Sequence, residues 1–169
     1  MARWGADDKR VISQAKETLS SELKGKLSAY CTHVKGHGGV KKSLRLLTRV
    51  IPEFRYAARF DVARYYESID HDVLLSQLKR MQVSQHNQDI VQQYLALADR
   101  CNSCRGMIAG GSLSPLLGAV MLTPLDKMLD LKIDEPLNAH LIIDYAQKNS
   151  LQKSVIQLSN LLQNGQRSD

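Results

Sequence analysis

The chain is poor in cysteine and has neither a long apolar run nor a leader-like start. Three cysteines among 169 residues do not make the disulfide framework of a small secreted protein, so we expect free thiols in a reducing compartment. Residues 1–10 are polar, which argues against a secretory signal peptide. The longest apolar run, residues 113–122, is broken by Ser114 and Pro115 and is too short to span a bilayer. The sequence therefore predicts a soluble, cytoplasmic protein that makes no membrane contact.

The cysteines and histidines offer at most one half of a zinc site. Cys101 and Cys104 have the spacing of a ligand pair, and Cys31, His33 and His37 are in principle able to complete the shell. Because only one Cys-x-x-Cys pair exists, we expect ordinary thiols and no bound zinc.

Positive charge is concentrated in one part of the chain. The formal net charge is +6, with 23 Lys and Arg against 17 Asp and Glu. Between Lys24 and Arg64 there are ten basic and two acidic residues, a local charge of +8, whereas the remainder carries −2. Such a cluster is typical of a surface that follows nucleic-acid phosphates, where each contact releases counterions. The alternative is a solvated basic face without a partner.

Hydrophobic periodicity predicts a helix-rich single domain of the α+β class. At 169 residues it is long enough to bury roughly 70% of its unfolded surface, and it contains no repeat or low-complexity linker. Pro124 is expected to kink or split the fifth helix. The predicted helices cover residues 7–27, 41–50, 70–81, 88–98, 113–131 and 150–162, and the predicted strands cover 55–62 and 140–144.

Residues 60–71 combine a strand that ends in a carboxylate with a capped helix. Their sequence is Phe-Asp-Val-Ala-Arg-Tyr-Tyr-Glu-Ser-Ile-Asp-His. A charge such as Asp61 beside an apolar strand is costly unless it is paired or bound to metal. Asp70 is a good helix N-cap. This segment resembles motif A of reverse transcriptases, in particular the bacterial and group II intron-like branch.

Two further segments resemble the same family. Residues 106–119, Gly-Met-Ile-Ala-Gly-Gly-Ser-Leu-Ser-Pro-Leu-Leu-Gly-Ala, are similar to motif B, and residues 33–42 look like the glycine-rich stretch before motif A. The resemblance implies RNA-directed DNA synthesis with two Mg²⁺ ions, an RNA template, a DNA primer and deoxynucleotides. It also implies a partial right-hand polymerase with a small antiparallel sheet, in which residues 1–54 are a fingers remnant with a basic loop and 55–169 an incomplete palm.

The resemblance assigns roles to individual residues. Asp61 and the carbonyl of Val62 would bind magnesium, which prefers hard oxygen ligands. Tyr66 would lie beneath the sugar and exclude a 2′-hydroxyl, while Gly110 and Gly111 would let a nucleotide approach the backbone. The basic residues proposed to contact nucleic acid are Lys35, Lys41, Lys42, Arg45 and Arg49.

Each role has a simpler alternative. Asp61 is alternatively an aspartate that caps a turn, and the two glycines are alternatively ordinary loop residues. Tyr66 is alternatively a core residue, although Tyr65 suits that place better because adjacent strand residues face opposite sides.

The sequence departs from the family most seriously at motif C, which should contain Tyr-x-Asp-Asp on a hairpin turn. The only candidate is residues 141–148, in one of two registers. One register leaves Gln147 and Lys148 in place of both aspartates. The other makes Asp144 the second aspartate, a catalytic and metal-binding candidate, but leaves Ile143 at the first position. Neither register provides both carboxylates.

Other departures point the same way. Ile108 and Ala109 replace the proline and polar residue that precede the glycine in motif B. No apolar return strand follows the motif C candidate, because Asn149 leads into a predicted helix that resembles the one after the family's hairpin. The chain also stops before a thumb. We therefore expect polymerase activity that is impaired, lost or dependent on a complementing second chain. The alternatives are a non-catalytic RNA-binding relic and a product that scarcely folds.

Overall fold

The computed structural model describes residues 6–50, 52, 56–97, 103–130 and 154–160, with side chains described for 9–49, 52, 61–97 and 103–128. The described part is helix-rich, as predicted. Its helices are α1 (Ala6–Glu22), α2 (Gly39–Val50), α3 (Tyr65–Ser68), α4 (His71–Arg80), α5 (Gln85–Ala96) and α6 (Ser114–Asp130), and its strands are β1 (Tyr56–Val62) and β2 (Ser154–Asn160).

The predicted helices around motifs A and B are confirmed. Helix α4 begins after Asp70, whose Oδ1 accepts a hydrogen bond from the Val73 N–H at 3.1 Å, so the expected N-cap is present. Helix α6 continues past Pro124 as one element, and the predicted split is wrong. Thr123 donates its hydroxyl to the Ala119 carbonyl at 2.8 Å, one turn earlier in the same helix.

Two helix boundaries differ from prediction for local reasons. Helix α1 ends at Glu22 instead of residue 27, because the chain turns at Gly25, whose φ of +75° favours glycine. Helix α5 begins three residues earlier than predicted, after Ser84. The Ser84 hydroxyl accepts from the Asn87 N–H at 3.4 Å and acts as the N-cap.

The prediction of a helix at residues 150–162 is wrong where the structure describes that stretch. Residues Ser154–Asn160 form β2, which pairs antiparallel with β1 so that Asp61 lies opposite Val155. The expectation that no strand follows the motif C candidate is wrong for the same reason. The apolar residues of this stretch fit a helical repeat, but Val155 and Ile156 are β-branched and are also well suited to a strand. Pairing with β1 therefore determines that the stretch is a strand and not a helix. Apart from this two-stranded ribbon, the described residues contain no larger sheet.

The core lies between α1, α4, α5 and α6. Helix α4 contacts both α5 and α6, and α1 contacts α5. Leu74, Leu78 and Leu117 are fully buried, and the leucines that follow the end of α1 also face this core. Leu23, Leu27, Cys31 and Val34 therefore belong to the same core although they lie outside the helices.

Glu22 attaches the end of α1 to the start of α5. Its carboxylate accepts from the Ser84 N–H at 2.8 Å and from the Asn87 side-chain amide at 2.9 Å. Partial burial alone would raise the pKa of Glu22, but these hydrogen bonds and the nearby Lys26 outweigh it and lower the pKa. The ionised form of Glu22 therefore stabilises this junction.

The structure adds one finding on membranes and does not describe the second predicted strand. None of the helices in the described ranges has the length and apolar character needed to cross a bilayer. The predicted strand at residues 140–144, which includes Asp144, lies outside the described residues.

Gln77 on α4 generates a stability prediction. Its side chain is buried among apolar neighbours, and its Oε1 atom has no hydrogen-bond partner within the described part, while the amide nitrogen lies 3.9 Å from the Met121 sulfur. An unpaired buried carbonyl loses its hydration without compensation. The Gln77→Met substitution is expected to raise the free energy of unfolding by about 1 kcal/mol, measured by urea denaturation. Gln93→Met, on the exposed face of α5, should change it by less than about 0.5 kcal/mol. A destabilised Gln77→Met variant would contradict the prediction.

Candidate functional site

The predicted metal-binding residues lie at the exposed end of β1. Asp61 is the penultimate residue of this strand and its side chain is exposed. Val62 is half-buried and packs against the core. Arg64 then adopts a left-handed conformation with φ 48°, which turns the chain from the strand into α3. The carboxylate of Asp61 thus lies at the exposed end of β1 and not inside the core.

Residues 104–107 run antiparallel beside residues 66–71, and we call this pair of segments the motif ribbon. The Met107 N–H donates to the Tyr66 carbonyl at 2.7 Å, and the Gly106 N–H donates to the Ile69 carbonyl at 2.8 Å. An isolated β-bridge joins Asp70 to residue 105. The motif ribbon therefore brings together the two segments that resemble motifs A and B.

His71 closes the motif ribbon at its end. Its backbone N–H donates to the Cys104 carbonyl at 3.0 Å, and its Nε2 atom donates to the Gly106 carbonyl at 2.7 Å. The ring is buried. His71 belongs to the segment that resembles motif A, but the sequence alone indicates no role for it. Its role as a hydrogen-bond donor is visible only from the position of Gly106.

Two adjacent tyrosines pack on a glycine of α6. Tyr65 donates its hydroxyl to the Gly118 carbonyl at 2.6 Å, and the rings of Tyr65 and Tyr66 are 5.4 Å apart at an angle of 52°. A Cβ on Gly118 would lie 3.1 Å from Tyr65 and 3.7 Å from Tyr66. Both tyrosines are half-buried and both lie in α3, so the strand alternation used to separate their roles does not apply. The absence of a side chain at Gly118 therefore leaves room for both tyrosine rings beside α6.

The glycine pair of motif B lies in the turn before α6. Gly110 has φ +76°, a conformation that favours glycine. At Gly111 a Cβ would come within 1.8 Å of the Tyr94 hydroxyl, so the backbone is pressed against that ring. Burial raises the pKa of Tyr94, and nearby Tyr66 raises it further, although the hydrogen bond between Tyr94 and Ser114 acts in the opposite direction. Gly111 therefore has a packing reason to be glycine, whatever else it contacts.

The described residues do not form a magnesium site by themselves. Within the described ranges no three His, Cys, Asp or Glu side chains come together as a metal-binding group. Asp61 is placed at an exposed strand end, and Asp144 is outside the described residues. Since two-metal chemistry needs more than one carboxylate, no catalytic step through a metal follows from these residues.

Cys31 and Cys104 lie in different environments. Cys31 is buried in the core, with its sulfur 3.6 Å from Nδ1 of His33, and Cys104 is exposed in the motif ribbon. Burial, with a smaller contribution from the charge of Asp126, raises the pKa of the Cys31 thiol to about 11. Cys101 lies outside the described residues. Cys31 is therefore a protonated core thiol at neutral pH.

The predicted nucleic-acid-binding residues share one helix and the loop before it. Lys41, Arg45 and Arg49 recur every four residues along α2 and are exposed, so they lie on one face. Lys35 is exposed in the preceding loop. Lys42 is half-buried and donates its Nζ to the Ala29 carbonyl at 3.2 Å, so part of its hydrogen-bonding capacity is used within the protein.

Helix α2 also exposes an apolar stripe that sequence reasoning missed. The side chains of Val40, Leu44 and Leu47 are more than half exposed and occupy neighbouring positions on the helix surface. Their spacing over α2 was the available signal, but periodicity alone does not show which face meets the core. The basic face lies next to this stripe.

No protein-family model matches the chain, and no curated protein matches its sequence.

Gly111 offers a direct test of the turn before α6. Gly111→Ala is expected to lower the free energy of unfolding by about 2 kcal/mol, because the new methyl group would collide with the Tyr94 hydroxyl. The double variant Gly111→Ala with Tyr94→Phe removes that hydroxyl and should recover at least about 1 kcal/mol relative to the sum of the single substitutions. Thermal or urea unfolding of the four proteins measures this coupling. Additive effects would show that the contact does not determine the residue at position 111.

Proposed function

We propose that this chain is a reverse-transcriptase-like protein of the bacterial and group II intron-like branch, with RNA-directed DNA polymerase activity that is impaired or lost. The motif ribbon supports the proposal, since it joins residues 66–71 to 104–107 by backbone hydrogen bonds. These are the segments whose sequences resemble motifs A and B. In a polymerase, both segments must meet around one nucleotide, because the chemistry depends on positioning.

The proposed nucleotide site combines Asp61, Val62, Tyr66 and the turn at Gly110. Tyr66 is held from two sides, by its carbonyl bond to Met107 and by its contact with α6. A fixed aromatic ring suits the proposed role of excluding a 2′-hydroxyl, since steric exclusion needs a rigid wall. The exposed carboxylate of Asp61 is available to a cation from solvent.

The proposed architecture is an incomplete α+β palm with a fingers remnant. The pairing of β2 with β1 supports it, because a strand after the motif C candidate lies beside the strand that carries Asp61. Helices α4 and α6, which both follow β1 in the chain, pack against each other. RNA template, DNA primer and deoxynucleotides are the proposed ligands, and the cytoplasm is the proposed location.

Loss of activity follows from the chemistry of motif C. A neutral amide at position 147 and an ammonium at 148 do not replace two carboxylates as ligands of divalent ions, and the ammonium repels them. The alternative register supplies Asp144 only. Loss of a metal-binding group costs several kcal/mol of transition-state stabilisation, on the order of 10³-fold in rate. A second chain that supplies the missing carboxylates would restore the reaction.

Primer extension tests the proposed loss of activity. With magnesium, poly(rA) template and oligo(dT) primer, the chain alone is expected to extend no faster than its Asp61→Ala variant. Asp72→Asn removes another exposed carboxylate, on α4, and serves as the matched control. If the wild-type chain extends the primer, and if Asp61→Ala abolishes this extension while Asp72→Asn preserves it, the proposed loss of activity is contradicted. The same result would support the proposed relation to reverse transcriptases.

The second candidate function is RNA binding without catalysis. It is favoured by the basic face of α2, where Lys41, Arg45 and Arg49 are exposed and form no ion pair with another described residue. The helix contains no acidic residue that would oppose an approaching phosphate. Contacts of this kind supply affinity and positioning without sequence specificity.

Salt-dependent RNA binding tests this face. Replacing Lys41, Arg45 and Arg49 with Gln should weaken binding to a structured RNA and reduce the slope of log K against log salt by about 2 to 3, because three phosphate contacts are lost. A control triple replacement of Lys79, Arg80 and Lys127 removes the same charge from exposed sites elsewhere. Binding should need no magnesium. Equal effects of the two triple variants would contradict a dedicated face.

A further inference from the structure

A cavity of about 330 Å³ lies between α1 and the turn before α6. Its α1 wall carries Lys9, Ser13 and Lys16, and the opposite wall is formed by residues 110–112 with Tyr94. Positions 9, 13 and 16 fall on one face of a helix, so both ammonium groups are presented from the same side. The cavity is open to solvent and large enough for a phosphate group.

Among the described side chains, none that is acidic faces this cavity. Neither Lys9 nor Lys16 forms an ion pair within the described part of the chain. Two like charges that face one small volume repel each other unless an anion lies between them. The cavity therefore favours a ligand with negative charge.

The opposite wall supplies a hydrogen-bond donor. The Gly111 N–H donates to the Ile108 carbonyl, but the N–H group of Ser112, which lines the cavity, donates to no acceptor among the described residues. Ser112 lies just before the 17-residue helix α6. Backbone N–H groups in a glycine turn bind anions, and the lysines across the cavity complement them.

We propose that this cavity binds a phosphate group between Lys9 and Lys16 on one side and the turn at residues 110–112 on the other. The phosphate belongs to a nucleic-acid strand or to a free nucleotide, and that choice of source rests on the proposed function. The phosphate chemistry itself does not, because it follows from the charge of the two lysines and the backbone donor of the turn. The site gives two lysines outside every motif a binding role.

Titration with inorganic phosphate tests the site. The amide NMR signals of Gly110, Gly111 and Ser112 are expected to shift together in wild type. The Lys9→Gln/Lys16→Gln variant should bind phosphate on the order of tenfold more weakly, since two charge-assisted contacts are lost. Lys79→Gln/Lys127→Gln removes the same charge from exposed positions away from the cavity and should bind as wild type does. Equal weakening by both variants, or shifts that avoid residues 110–112, would overturn the proposal.

Folding and ligand source are separated by further measurements. Amide signals of the Lys9→Gln/Lys16→Gln variant from residues outside the cavity should match those of wild type, because Lys9 is exposed and Lys16 half-buried. If this double variant is unfolded, the single variant Lys16→Gln is titrated instead. The proposal then requires that Lys16→Gln weaken phosphate binding. Titrations with dTTP and with a single-stranded RNA oligonucleotide then identify the source as whichever loses affinity in the variant. If neither does, a nucleic-acid source is overturned. Because the phosphate titration involves no extension reaction, its outcome is independent of polymerase activity.

Discussion

The motif ribbon is the constraint on which the rest of the structure depends. It buries Ile69 completely and leaves its carbonyl bonded to the Gly106 N–H, so the polar backbone of this buried segment is satisfied. These hydrogen bonds link the segment that follows β1 to the chain that leads into the turn before α6. His71 adds a side-chain hydrogen bond to the carbonyl of the same glycine. The positions of Tyr66 and of the turn at Gly110 relative to each other depend on this pairing.

Two tyrosine–glycine contacts extend that constraint into the core. Gly118 allows Tyr65 to reach the backbone of α6, and Gly111 allows the hydroxyl of Tyr94 to approach the turn. In both places a methyl group would occupy space that the ring needs. Gly111, which the family resemblance assigns to nucleotide approach, therefore serves packing in this chain. Both roles would rest on the same physical property, since a residue without a side chain lets another group come close to the backbone.

Positive charge is used in two structurally different ways. On α2 the basic residues form an exposed face that suits an extended polyanion, whereas Lys9 and Lys16 of α1 converge on a small cavity. A long face gains affinity by releasing many counterions, and a cavity gains selectivity by matching one group with fixed donors. Lys42 shows a third use, since it bonds to a neighbouring carbonyl. Total charge alone does not distinguish these cases.

The sequence by itself determined the local features of this protein. The start of α4 at Asp70, the course of α6 and the strand that carries Asp61 follow from caps and periodicity within a few residues. The presence of Gln147 and Lys148 in the segment compared with motif C is likewise visible in the sequence alone. Only the tertiary structure decided that residues 154–160 form a strand, that His71 bonds to Gly106 and that α1 faces the motif B turn. Each of these depends on a partner far along the chain. A local pattern does not specify that partner, because its position is set by how the whole core packs.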